Sequence, residues 1–180
     1  MSLFLTKTSR RHRFAWIVIA MALGALVFVP ACGGGAEKLL AQADALAHTA
    51  NADSAAMANA LYASFLTQYP EHEYAPRALR TQARLTQQRR DIGAALVLYE
   101  SLLSSYPESA YADEAQFMIG YIYEEHVRDF DRARAAYQRV IDRYPDSELA
   151  MSAKHLLPHV GRAAEEWVEF QEGVTDAVVR

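Results

Sequence analysis

The chain has 180 residues, of which 52% are hydrophobic and 22% are charged, so its size and composition are those of one folded globular domain. Its formal net charge of −4 argues against nucleic acid as the main partner, because a phosphate-binding surface needs a net basic footprint. The single cysteine, Cys32, excludes an intrachain disulfide, so packing alone must hold the fold together.

Residues 1–31 have the layout of a secretory signal peptide, with a basic segment at residues 7–13 before an uncharged apolar run at residues 14–29. The sequence at Val29, Ala31 and Cys32 resembles the lipobox of bacterial lipoproteins, which implies cleavage before Cys32 and acylation of its thiol. Ordinary signal-peptidase cleavage and retention as an uncleaved anchor stay open as alternatives. The glycines after Cys32 predict a flexible tether at residues 32–36.

One apolar pattern occurs three times along the rest of the chain, with identical internal spacing. The three copies are Ala58, Tyr62, Phe65, Leu66, Tyr69 and Pro70; Ala95, Tyr99, Leu102, Leu103, Tyr106 and Pro107; and Ala133, Tyr137, Val140, Ile141, Tyr144 and Pro145. The spacing follows one face of a helix with 3.6 residues per turn, and the proline ends that helix. Together with the segments between the copies, the pattern predicts helices at residues 37–49, 53–69, 74–89, 92–106, 110–125, 130–143 and 148–157.

The repeat resembles the tetratricopeptide repeat, in which a small residue, an alanine, an aromatic residue and a proline recur at fixed places. Those places hold Ala83, Ala95, Tyr99 and Pro107 in the second unit, and Gly120, Ala133, Tyr137 and Pro145 in the third, which has one extra residue in the turn around residues 128–131. In the first unit Leu46 replaces the small residue, so its first helix is expected to be displaced. The resemblance implies an all-α, right-handed solenoid of about three helix pairs at residues 37–157, followed by a C-terminal capping helix and tail at residues 158–180.

Within that family the chain is most similar to periplasmic proteins of Gram-negative envelopes. These are the lipoprotein D component of the outer-membrane β-barrel assembly machine and the repeat domain of the Tol-Pal-associated cell-division coordinator. The resemblance implies a non-enzymatic scaffold for protein binding, lipid-anchored at the periplasmic face of the outer membrane. Such a scaffold would serve outer-membrane protein assembly or an envelope complex of the secretin and pilotin type. The alternative is a soluble, non-lipidated periplasmic factor for cell division or cell-wall machinery that acts through oligomerisation of its repeats.

The partner-contacting positions of the family carry over to eight residues on the first helices of two units. They are Arg77, Arg80, Arg84 and Gln87 in the second unit, and Glu114, Phe117, Tyr121 and Glu124 in the third. We predict a groove in which the arginines clamp the carboxylates of a bound peptide and the aromatic side chains add apolar contact. The alternative is that the arginines form salt bridges with Glu71, Glu73 or Glu100 on a solvated face.

Nothing in the sequence predicts catalysis. It contains no Gly-rich phosphate loop, no GxSxG motif and no HExxH motif, and its cysteine belongs to the leader. His155 and His159 have the spacing of two metal ligands on a helix, but Pro158 lies between them and no third ligand accompanies them. We therefore predict no catalytic residues, no cofactor and no metal site.

Overall fold

The computed structural model describes residues 33–49 and 51–162, and no strand occurs among them. The elements in order are α1 (Gly33–Ala47), α2 (Ala52–Gln68), α3 (Ala75–Gln88), α4 (Ile92–Ser105), α5 (Ala112–Tyr121), a π-helical segment (Ile122–Val127), α6 (Phe130–Arg143), α7 (Glu148–Leu156) and a 3₁₀ turn (Leu157–His159). All seven predicted helices are present, and the fold is the expected all-α helical solenoid. The predicted signal peptide, the acylation at Cys32 and the tail from residue 163 lie outside the described residues.

The second helix of each pair is bounded by the same local structure in all three units. The side chains of Asn51, Asp91 and Asp129 accept hydrogen bonds from backbone N–H groups in the first turns of α2, α4 and α6, and so cap these helices. The C-cap residues of the same helices are Tyr69, Tyr106 and Tyr144, and each is followed by a proline. The tyrosine and proline of the repeated pattern therefore mark the real end of each second helix.

The repeated alanines and tyrosines form the contacts between helices. Ala58, Ala95 and Ala133 are fully buried, and Tyr62, Tyr99 and Tyr137 are the three largest fully buried side chains among the described residues. Ala112 and Ala115 on α5 are also fully buried, which confirms that small residues there allow close approach of the neighbouring helix. The repeat therefore encodes a core shared between successive helices.

The extra residue of the third unit lies inside a helix and not in the turn where it was predicted. Arg90 and Arg128 are equivalent turn residues, since both have a left-handed backbone with φ of 65° and 62° and both precede their tyrosine by the same interval. Between Gly120 and Arg128 there is one more residue than between Ala83 and Arg90. The helix absorbs it by widening into the π-helical segment, which is the usual way an insertion is accommodated without breaking a helix.

The first helix begins earlier than predicted, at Gly33, so residues 33–36 form its first turn instead of a tether. Ala36 is fully buried, and its packing stabilises that turn despite the low helix propensity of glycine. A β-carbon on Gly35 would lie 3.0 Å from the hydroxyl of Tyr69, so this position favours glycine. Leu46 is only partly buried, whereas Ala43, three residues earlier on α1, is fully buried.

Candidate functional site: the face of the first helices

The eight predicted groove residues lie on α3, on α5 and in the π-helical segment, but they do not form one binding surface. Most of them bond to neighbouring helices, and these bonds occupy the polar groups that the sequence assigns to a partner. The remaining residues line a smaller groove near the C-terminal ends of α3 and α5.

Arg77 bonds to α1. Its Nη2 donates to Oδ2 of Asp44 at 2.9 Å, and the hydroxyl of Tyr62 donates to the other oxygen of the same carboxylate at 2.5 Å. The hydrogen bond to Asp44 raises the pKa of Arg77, while burial and then the bond to Asp44 raise the pKa of Tyr62 well above its usual value. Asp44 therefore joins helices of the first and second units.

Arg80 bonds to α5. One guanidinium nitrogen, Nη1, lies 3.2 Å and 2.9 Å from the two carboxylate oxygens of Glu114, and the guanidinium lies over the Tyr111 ring at 4.9 Å. The expected alternative partners, Glu71, Glu73 and Glu100, are therefore wrong: Arg77 pairs with Asp44 and Arg80 with Glu114. The physical reason is the arrangement of the helices. The first helices of successive units lie side by side, so the arginines of α3 are nearer to acidic side chains on α1 and α5 than to those in the turns or on the second helices.

Gln87 and Glu124 accept hydrogen bonds from the buried tyrosines of their own units. The Tyr99 hydroxyl donates to Oε1 of Gln87 at 3.2 Å, and the Tyr137 hydroxyl donates to Oε2 of Glu124 at 2.9 Å. Burial raises the pKa of Tyr99 to about 12. Burial, followed by the bond to Glu124, raises that of Tyr137 still further. Both acceptors satisfy hydroxyls that would otherwise be buried without a partner.

Three predicted residues remain available: Arg84, Phe117 and Tyr121. Arg84 makes no hydrogen bond or ion pair with any described residue, Tyr121 is 38% exposed, and Phe117 is half-buried with its ring 5.2 Å from that of Tyr137. They line a groove of about 520 Å³ between the C-terminal ends of α3 and α5, here called the Arg84 groove. Its complete lining is Arg84, Gln87, Gln88, Arg90, Phe117, Met118, Tyr121 and His126.

Sequence reasoning missed Arg90, Met118 and His126. Arg90 follows the end of α3 in the left-handed conformation, which positions its side chain at the groove edge. The His126 ring lies edge-on to that of Tyr121 at 5.8 Å, a contact made across the π-helical segment. The sequence contains no signal for this contact, because α-helical spacing would not bring residues five apart together.

The Arg84 groove combines cationic and apolar groups. Within residues 33–49 and 51–162, no three histidine, cysteine, aspartate or glutamate side chains cluster at a distance suited to a metal ion. No helix in these ranges is long and apolar enough to cross a bilayer. The guanidinium groups of Arg84 and Arg90 pair with no described residue and lie beside exposed aromatic carbon, so they are suited to binding an anionic, partly apolar segment of another chain.

The family comparison matches the third unit. Residues 114–147, which run from α5 through the π-helical segment to the end of α6, match the family model of the tetratricopeptide repeat. The chain contains a tetratricopeptide repeat. Such repeats are generally non-catalytic modules that bind peptides or proteins, and this repeat points to a protein–protein interaction scaffold. No curated protein matches the chain.

Proposed function

We propose that this tetratricopeptide-repeat protein is a non-enzymatic scaffold of the Gram-negative envelope, anchored to the periplasmic face of the outer membrane through an acylated Cys32. Its Arg84 groove binds an acidic segment of another envelope protein. The complex serves outer-membrane protein assembly or an envelope assembly of the secretin type. One observation carries the binding assignment: Arg84 and Arg90, which have no ion-pair partner among the described residues, border exposed aromatic carbon in a groove between two first helices.

The groove favours a segment with at least one carboxylate and one apolar side chain. A guanidinium is suited to bidentate pairing with a carboxylate, and such charge-assisted bonds contribute about 1.5–3 kcal/mol each. Phe117, Met118 and Tyr121 offer the apolar contact. Arg77 and Arg80 contribute little to this selectivity, because Asp44 and Glu114 already neutralise them.

In-cell photo-crosslinking tests the groove. A photo-reactive phenylalanine analogue at Gln88, inside the groove, should crosslink one envelope protein. The same analogue at Met57, which is exposed on α2, should not crosslink it. The segment of that protein that crosslinks should then bind the purified scaffold, and Arg84→Glu should weaken this binding at least about tenfold because it replaces attraction by repulsion.

Arg89→Glu is the matched control, since Arg89 is exposed in the adjacent turn but does not line the groove. A triple reversal of Arg77, Arg80 and Arg84 is a poorer test, because it also breaks two interhelical ion pairs. Equal binding by the wild type and Arg84→Glu, or equal crosslinking from Gln88 and Met57, would show that the groove is not the binding site.

Fractionation of a Cys32→Ser variant tests the anchor. Loss of membrane association, together with loss of fatty-acid labelling, supports the lipoprotein. An unchanged soluble distribution supports the alternative, a non-lipidated periplasmic factor for cell division or cell-wall machinery.

A further inference from the structure

A second cleft lies between the second helices α4 and α6, outside the Arg84 groove. Its volume is about 500 Å³, and it is here called the α4–α6 cleft. Its lining residues are Glu100, Leu103, Ser104, Gln116, Ile119, Tyr123, Arg132, Ala135, Arg139 and Arg143. Three arginines and one glutamate make it locally basic on a chain whose net charge is −4.

The three arginines form a row along α6. Their spacing of seven and four residues places them on one face of the helix, over a length of about 16 Å. Arg139 and Arg143 have no ion pair with any described residue. Arg132 pairs only with Asp129 in its own first turn, at 3.3 Å, and 67% of its side chain is exposed. The row is therefore largely uncompensated positive charge.

The other repeat units show that packing does not require these arginines. The equivalent positions, counted from the buried tyrosine of each unit, are Met57, Ser64 and Gln68 in α2, and Ala94, Ser101 and Ser105 in α4. None of these six residues is charged, although α2 and α4 have the same caps and the same core contacts. The arginine row is thus an addition to the third unit, and mutual repulsion along it favours an anionic occupant.

The chain leaves the described structure beside α6, on the face opposite to the arginine row. Arg134 Nη2 donates to the carbonyl oxygen of Val160 at 2.9 Å, and Gly161, with φ of +86°, lies against the Phe130 ring. Phe130 and Arg134 lie in the first two turns of α6, each two residues from Arg132 and therefore on the opposite face of the helix. The segment after Arg162 thus starts at the N-terminal end of α6 and would have to pass around that end to reach the row.

The negative charge of residues 163–180, and the spacing of two of their carboxylates, are complementary to the arginine row. This segment has five carboxylates and a single basic residue, Arg180. Glu172 and Asp176 are spaced by four residues, as are Arg139 and Arg143. Ten residues of chain lead from Arg162 to Glu172, and an extended chain of that length spans about 33 Å, which is enough to pass around α6.

We propose that the α4–α6 cleft is a binding site for an acidic segment, and that its occupant is the chain's own residues 163–180. In this arrangement Glu172 and Asp176 pair with Arg139 and Arg143, in place of a cap over the end of the solenoid. Tethering stabilises the contact because it supplies the segment at a high effective concentration. The solenoid thereby carries two basic sites, of which this one is filled from within the molecule.

The fluorescence of Trp167 tests the proposal in the full chain. The sequence has two tryptophans, Trp16 and Trp167, so a Trp16→Phe background leaves Trp167 as the sole emitter. Quenching of Trp167 by acrylamide should rise severalfold when Arg139→Glu and Arg143→Glu are combined. It should also rise when NaCl is increased from about 0.05 M to about 0.5 M, because salt screens the pairing.

A charge-matched control combines Arg84→Glu with Arg89→Glu and should leave the quenching of Trp167 unchanged. A charge swap that adds Glu172→Arg and Asp176→Arg to the Arg139→Glu, Arg143→Glu chain should restore protection, which misfolding could not do. Equal quenching in the wild type and the Arg139→Glu, Arg143→Glu chain, or no restoration by the swap, overturns the proposal. Exposure of Trp167 by the Arg84 and Arg89 reversals also overturns it, since the segment would then occupy the other groove. A last outcome is that Trp167 becomes protected from acrylamide only as the protein concentration rises, with dimers in sedimentation. That result overturns the assignment to the same chain and shows that residues 163–180 of one copy bind the cleft of another.

Discussion

The second and third repeat units have the same helix–turn–helix plan but differ where their two helices come closest. In the second unit Ala83 is the fully buried small residue of the first helix, whereas the third unit has Gly120, whose added β-carbon would lie 2.7 Å from the Tyr137 ring. Tyr99 bonds to a neutral amide and Tyr137 to a carboxylate. The third unit also contains the π-helical insertion.

Residues that pack between helices recur in both units, whereas residues at other positions differ. The alanine and tyrosine of each second helix recur because they fill the same space between helices. The residues facing the Arg84 groove differ between units: Arg84 of the second unit corresponds to Tyr121 of the third. We therefore expect binding specificity to depend on residues that the packing of the solenoid leaves free.

The largest expected effect is the removal of a repeated tyrosine. Tyr137→Ala and Tyr99→Ala should each lower the free energy of unfolding by about 3–5 kcal/mol, because a fully buried aromatic ring leaves a cavity. Urea denaturation followed by circular dichroism measures this loss.

The phenylalanine variants then distinguish the two units. Tyr137→Phe should cost about 1.5–3 kcal/mol, since it removes a hydrogen bond to a carboxylate, whereas Tyr99→Phe should cost about 0.5–1.5 kcal/mol. Equal costs would contradict the different roles assigned to Glu124 and Gln87.

The free energy of unfolding at alkaline pH should depend on the same buried tyrosines. Burial raises the pKa of Tyr99 from 10.0 to about 12 in the folded protein, so the folded state keeps this proton after the unfolded state has lost it. The stabilisation is complete below pH 10 and is lost as the pH rises toward 12, by about 2–3 kcal/mol for this residue. Thermal melts between pH 8 and pH 12 should be flat at first and then fall, and Tyr99→Phe should make the fall shallower. A melting temperature that drops equally in the variant would assign the alkaline loss to other groups.

Gly120→Ala should lower the free energy of unfolding by about 1–3 kcal/mol, although alanine at an exposed helical position stabilises by about 1 kcal/mol relative to glycine. The reason is the clash of the new methyl group with the Tyr137 ring. Gly93→Ala in the first turn of α4 is the control, since no atom lies within 4 Å of its added β-carbon, and it should be neutral or stabilising. Chemical denaturation of both variants measures the difference. Stabilisation by Gly120→Ala would show that the helices can separate at no cost.

The smallest expected effect concerns the ion pair between the two units. A double-mutant cycle with Arg80→Ala and Glu114→Ala should give a coupling energy below about 1 kcal/mol, because about a third of each side chain is exposed to solvent. The single mutation Asp44→Ala should cost more than Glu114→Ala, since Asp44 also binds the Tyr62 hydroxyl and its loss leaves two donors unpaired. A larger cost for Glu114→Ala would reverse this ranking of the two unit junctions.

Much of the site could not be predicted, for reasons that differ from residue to residue. Register along α3 and α5 predicts that Arg84, Phe117 and Tyr121 lie near one another, and all three line the Arg84 groove. The same register says nothing about Asp44, which lies on a different helix and reaches Arg77 only because the first helices pack side by side. His126 reaches Tyr121 because the helix widens locally, and sequence spacing that assumes an α-helix excludes this contact.

The sequence alone determined the helices, their ends and the identity of the buried face, because apolar periodicity, capping residues and prolines act within a few residues along the chain. It also determined which side chains are small enough for helices to touch. Tertiary structure alone decided which of the predicted arginines are already neutralised and which face solvent, because ion pairs form between residues more than thirty positions apart. Tertiary structure also placed the third unit's extra residue inside a helix. The left-handed residue Arg128 and the packing of Tyr137 keep the turn the same as in the second unit, so the helix absorbs the insertion.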